Sequence, residues 1–216
     1  MDLWFFDLDD TLHDASHAMF ATIDARMADY VHGHLKLDRD AADRLRREYL
    51  QRYGATLLGL VRHHGVDPHH FLKQTHDFDI AAHLRAERGI GELLARLPGR
   101  KVLLTNAPAR YATTVLRELA IGHRFSRQIT IEGMRLHGQW RPKPSRSMLR
   151  AMLARERVPA ARAVLVEDSL PNLKSAKSLG LRTVLVTGHR HGRVQRPPYV
   201  DAMVSSVLEL PRWSGL

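Results

Sequence analysis

Residues 3 to 8, LWFFDL, are apolar with no polar alternation until Asp7, the pattern of a strand buried on both faces of a sheet. Four later runs repeat it: KVLLTN (101–106), QITIEG (128–133), AVLVED (163–168) and RTVLVT (182–187). Helical punctuation fills the intervals. Asn106 is placed to cap a helix that starts near Pro108 and runs through ARYATTVLREL. SRSMLRAMLARERV follows Pro144 and stops before Pro159, and Ser169 with Pro171 opens NLKSAKSL, closed by Gly180. Strands alternating with helices require crossover connections, so the pattern predicts an α/β fold with a mostly parallel, doubly wound sheet. A last short strand is expected near Val200 to Val204. The basic Gly/Pro stretch before it, GHRHGRVQRPPY (188–199), is expected to be the least ordered segment.

Residues 14 to 89 carry no strand-like run. Met19, Phe20, Ile23, Met27, Tyr30 and Val31 recur at helical spacing, as do Leu45 and Tyr49, then Leu57, Leu58, Leu60 and Val61. Gly65 ends one helix, and Asp67 followed by Pro68 starts another. The expected organisation is therefore an α/β core from residues 1–13 and 90–216, with a helical insert over 14–89.

Composition narrows the function classes. With 216 residues, 44% hydrophobic and 26% charged, the chain can build a conventional core. It has no cysteine, which excludes disulfides, thiolate catalysis and cysteine zinc sites. MDLWFFDLDD lacks the basic region and long apolar run of a signal peptide, and no stretch approaches the length of a membrane span. The expectation is a cytoplasmic protein with no membrane partner. The net charge of +10 draws anions towards the surface, but the arginines in RLRREYLQR, LRAERG and ARERVPAAR are mixed with acids and have no aromatic platform beside them. That pattern reads as solvated helix faces and argues against a nucleic-acid partner. Oligomeric state is not legible in it.

In an open parallel sheet, ligands sit outside the carboxyl ends of the strands. The first run ends in Asp7 and Asp9, the second in Thr105 and Asn106, and the fourth in Glu167, Asp168 and Ser169. Lys143 stands in RPKPS ahead of a helix. One aspartate at a strand end is ordinarily an Asx turn. Several converging acids need compensation, because two carboxylates about 4 Å apart repel by about 4 kcal/mol at an effective dielectric near 20. A divalent cation supplies it, and an all-oxygen ligand set suits Mg²⁺. His63, His64, His69 and His70 read instead as helix ends and a turn. With a hydroxyl, a lysine and helix N-termini added, the set describes a phosphate site.

These residues resemble the haloacid dehalogenase superfamily across essentially the whole chain. FDLDDTL is similar to its first motif, LLTNA to the second, KP at 143–144 to the third and VEDSLPNLKSAKSLG to the fourth. The resemblance implies a Rossmann-like core with an inserted helical cap, and Mg²⁺-dependent hydrolysis of a small phosphate monoester through a phosphoaspartate. It implies Asp7 as nucleophile, Asp9 as general acid and base, and Lys143 as the balancing charge. Thr105 and the Asn106 backbone would bind phosphoryl oxygens. Asp7, the Asp9 carbonyl, Asp168 and Glu167 would serve the metal, with Asp10, Ser169 and Asn172 in support. The fourth motif has Glu167 where many members have aspartate, and Asn172 where an acid is frequent. Dehalogenase members lack an acid at the Asp9 position, so Asp9 implies phosphoryl transfer. YLQRYGATLLGLVRHHGVD with NAPARYATTVL further resembles the pyrimidine 5′-nucleotidase branch. Arg52, Tyr53 and His76 are within the insert that would meet a base or sugar, without an assigned role. The alternatives are a sugar-phosphate phosphatase or phosphomutase on the same core, and a basic binding module for nucleic acid or protein without catalysis.

Overall fold

In the computed structural model, which describes residues 1–189 and 195–212, the first apolar run forms β1 (Leu3–Phe6), buried at every position. Further along come β2 (Arg100–Leu104), β3 (Arg127–Ile129), the two-residue strands β4 (Arg135–Leu136) and β5 (Gln139–Trp140), then β6 (Ala163–Glu167), β7 (Arg182–Val186) and β8 (Ala202–Val204). Six of them make one parallel sheet in the order β3-β2-β1-β6-β7-β8. This is the expected α/β architecture. β4 and β5 form a separate antiparallel hairpin, which apolar patterning misses because each strand is too short to show a period. The middle of the 188–199 stretch, residues 190–194, lies outside the described residues.

Both faces of β1 are covered, which is why its sequence does not alternate. Leu3 and Phe5 belong to a core with Met148, Met152, Leu165 and Leu173, contributed partly by α8 (Arg146–Glu156) and α9 (Leu170–Lys177). On the other face Trp4 stacks on Phe6, and Phe6 meets Phe125 edge to face. The indole N–H of Trp4 donates to the Pro98 carbonyl at 2.8 Å, so this fully buried ring has no orphaned donor.

The chain divides into two compact units, Met1–His17 with Leu84–Leu216, and Ala18–His83. The sheet unit also contains α6 (Ile90–Arg96) and α7 (Ala109–Glu118). Asp14 N donates to the Arg85 carbonyl at 2.7 Å, which ties the two chain crossings of that unit together. Ala18–His83 is helical throughout: α1 (Met19–Leu35), α2 (Arg39–Tyr53), α3 (Thr56–His64), α4 (Pro68–His76) and α5 (Ile80–His83). Gly65 caps α3 in the left-handed conformation, and Asp67 caps α4 by accepting from His69 N, with Pro68 in the first turn. His63, His64 and His70 pair with the hydroxyls of Tyr53, Tyr49 and Tyr30. Phe20, one of the apolar residues at helical spacing, is 39% exposed. No helix among the described residues is long and apolar enough to cross a membrane.

Candidate active site at the strand ends

The register of three adjacent strands assembles the site. Phe6 is level with Leu103 on β2 and with Val166 on β6, and Asp7 N donates to the Val166 carbonyl at 3.0 Å. Asp7, Thr105 and Glu167 therefore leave β1, β2 and β6 along one edge. The strand order reverses at β1, with β2 and β3 to one side and β6 to β8 to the other, which is the place where an open α/β sheet presents its ligand crevice.

Lys143 is the hub. Its Nζ lies 2.7 Å from Asp7 Oδ1 and 2.7 Å from Glu167 Oε2, and its side chain is only 3% exposed. Glu167 is fully buried and its Oε1 accepts from Ser169 N at 3.1 Å. The backbone of Lys143 is fixed by Asn106, whose Oδ1 accepts from Lys143 N at 2.9 Å while its Nδ2 donates to the Lys143 carbonyl at 3.0 Å. Ser175 Oγ donates to the next carbonyl, that of Pro144, at 2.6 Å. This corrects the expectation that Asn106 caps α7. The cap position belongs to Pro108, which has no side-chain acceptor, and the Glu132 carboxylate takes the Ala109 N–H at 3.0 Å. Two backbone hydrogen bonds to Lys143 engage the Asn106 amide, so it is unavailable to the helix. Thr105 is buried, and its Oγ1 accepts from Ala107 N at 3.0 Å.

Charge in this cluster is unbalanced. Asp7, Glu167 and Asp168 bring one carboxylate oxygen each within 4.8 Å of one another, and one ammonium faces them. Burial, and then the Glu167 charge, hold the Asp7 carboxyl well above the usual carboxylate range, although Lys143 pulls it down. Burial also raises Glu167, with Lys143 opposing and Asp168 adding. Asp168 is pushed up to about 6 by burial, against a hydrogen bond from the Glu167 side that lowers it. Burial alone would lower the Lys143 amine, but Asp7 and Glu167 more than offset this and hold it above its ordinary value. Carboxyls held above their ordinary range in this way mark a site short of positive charge. A hard divalent cation fits the all-oxygen donors of Asp7, Asp168 and Glu167, and no cysteine or histidine belongs to that cluster among the described residues.

Asp9 and Asp10 serve different surroundings. Asp10 has a left-handed backbone (φ 55) and its Oδ1 accepts from Ser16 N at 2.8 Å, with Ser16 Oγ on the other oxygen, so it holds the turn. Asp9 Oδ1 accepts from Tyr111 OH at 2.7 Å and lies 2.9 Å from His13 Nε2. The sequence reading missed both partners. A tyrosine on the buried face of a helix was the available signal, because its hydroxyl must find a partner inside. Burial and the Asp9 charge hold that phenol above its ordinary value. Asn172 is buried on α9.

The family model for haloacid dehalogenase-like hydrolases matches residues 1–180, and the chain belongs to that family. It is 24% identical over 203 residues to "Phosphate metabolism protein 8" of Saccharomyces cerevisiae, covering 85% of this chain and 60% of that protein. It is 32% identical over 103 residues to a Pseudomonas savastanoi protein described as "Probable phosphoglycolate phosphatase", covering 46% of this chain and 60% of the other. The matched span is thus 60% of the length of each of these relatives. Among solved structures, one described as a HAD phosphatase from Thermococcus onnurineus shares the fold with a TM-score of 0.68 at 21% identity, covering 100% of this chain and 98% of that chain.

Proposed function

We propose that this protein is a Mg²⁺-dependent phosphomonoesterase that works through a phosphoaspartate on Asp7. The observation that supports it is the buried Asp7–Lys143–Glu167 bridge with Asp168 alongside, an anionic cluster at the strand ends that is short of positive charge. In this reading Asp7 attacks phosphorus as the bond to the ester oxygen breaks, and Asp9 gives its proton to that oxygen. Water then attacks the phosphoaspartate and returns a proton to Asp9, releasing phosphate and restoring Asp7. Lys143 holds Asp7 in place and offsets charge on the transferring group, while Thr105 and the Asn106 backbone receive phosphoryl oxygens. Asp7, the Asp9 carbonyl and Asp168 would hold the cation, with Glu167 supporting directly or through water. Bound there, Mg²⁺ would neutralise charge on phosphoryl oxygens.

Residues 14–89 take the part of the helical cap in this proposal, on a core of 1–13 and 90–216. For substrate, the sequence resemblance supports a pyrimidine nucleoside 5′-monophosphate, and the name of the Pseudomonas relative supports phosphoglycolate. A screen of phosphate release over nucleotides, sugar phosphates and phosphoglycolate separates them. Asp7→Asn is expected to abolish release and EDTA to silence it until Mg²⁺ is restored. Full activity in EDTA, or in Asp7→Asn, would refute the proposal.

A further inference from the structure

Nothing in the motif-based assignment accounts for the two side chains that grip Asp9. Tyr111 reaches it from α7, a separation of 102 residues, and donates to Oδ1 at 2.7 Å. His13 comes from the turn just after β1 and meets the same oxygen at 2.9 Å, next to a backbone bridge between Asp9 and His13. Each partner is 1% exposed. Since the acceptor is a carboxyl oxygen, the hydrogen belongs on His13 Nε2. The other nitrogen, Nδ1, is buried and has no hydrogen-bond partner among the described residues. A buried polar atom without a partner costs stability, so an apolar residue would suit this position better if packing were the purpose.

We infer that His13 and Tyr111 are positioning residues for Asp9. They hold its carboxyl in one rotamer. By both donating to Oδ1, they favour the form of the acid whose proton sits on Oδ2. Proton delivery to the departing ester oxygen, as its bond to phosphorus breaks, is thereby confined to one oxygen in one orientation. The inference rests on reading Asp9 as the proton carrier of a phosphomonoesterase. Orientation of this kind matters most when the leaving oxygen is strongly basic and must be protonated, and little when it departs as a stable anion.

The test compares two esters. Values of kcat/KM, which report the steps through departure of the alcohol, are measured for 4-nitrophenyl phosphate and for the best alkyl ester of the phosphate-release screen. The proteins are the wild type, Tyr111→Phe, His13→Leu, His13→Gln and Asp9→Asn, with thermal unfolding recorded for each. In Tyr111→Phe and His13→Leu the ratio of alkyl to nitrophenyl kcat/KM is expected to fall about tenfold, with the melting temperature of His13→Leu unchanged or higher. His13→Gln, which keeps an N–H donor, is expected to recover most of the ratio. An unchanged ratio in both variants would overturn the inference, as would an equal loss on both esters accompanied by lower melting temperatures, the outcome of a structural role. If Asp9→Asn itself leaves the ratio unchanged, the proton-carrier reading fails. If Asp9→Asn lowers it while both partner variants do not, only the positioning inference fails.

Discussion

Replacing Lys143 by methionine keeps most of the side-chain volume and removes the one ammonium that bridges Asp7 and Glu167 at 2.7 Å on each side. Both acids are buried, Glu167 completely, so the variant leaves carboxylate charge that solvent compensates poorly. Breaking such a pair from one side typically costs about 3 to 5 kcal/mol, a large share of the about 5 to 15 kcal/mol that holds a domain folded. For a chain of this size that corresponds to a melting temperature lower by about 6 to 20 °C. The deficit has a pH signature. Lys143 lowers the Asp7 and Glu167 carboxyls, which burial already holds above their usual range, so its removal lets both rise further. A carboxyl whose pKa is higher folded than unfolded binds its proton more tightly in the folded state, and stability then falls as pH rises through that window. The loss is expected to be small near about pH 4, where unfolded carboxyls also take protons, and largest above neutrality. Thermal unfolding of wild type and Lys143→Met in EDTA across this range is the assay, repeated with Mg²⁺, which is expected to recover part of the loss. A deficit that stays constant across the pH range, or no deficit at all, would refute the charge argument.

Two further outcomes follow from other residues. Asp168, lifted from 3.8 to about 6, binds its proton more tightly folded than unfolded, so in EDTA it lowers stability as pH rises between those values, by up to about 3 kcal/mol. Because cation and proton compete, the rise in melting temperature on adding Mg²⁺ is expected to shrink as pH falls through about 6. Asp168→Asn is expected to lose both effects, and a Mg²⁺ response that persists unchanged in it would contradict the ligand assignment. In the helical unit, a Cβ on Gly59 would lie 2.2 Å from Tyr49 Cγ. Gly59→Ala should therefore cost about 1 to 3 kcal/mol by overpacking, outweighing the about 1 kcal/mol that alanine gains in a helix. Equal or higher stability by urea denaturation would show that the α2–α3 contact yields more readily than the geometry implies.

What could be read from the chain is local. Apolar runs placed the strands of the sheet. Caps at Asp67 and Gly65 were legible because each acts within a few residues of itself, and the histidines beside them fell at helix ends for the same reason. The hairpin around Gly138 escaped notice. His137 and Gly138, both with positive φ, mark its turn, but two-residue strands carry no hydrophobic period. Asp7, Asp9, Thr105, Asn106, Glu167 and Asp168 could be proposed together because residues that end parallel strands converge on one edge, whatever lies between them.

Which of those residues touch was decided by tertiary structure. Asn106 resembled a helix cap in one dimension, and its amide instead fixes the backbone of Lys143, 37 residues away. Tyr111 followed the apolar stripe of α7, and its hydroxyl ends on Asp9. The sequence by itself determined the strands, their flanking helices and a strand-end set of acids, because these depend on side-chain period and on turn chemistry between neighbours. The lysine bridge and the grip on Asp9 depend on how crossover helices dock against a twisted sheet, a geometry fixed by packing the whole core and by no short stretch of the chain.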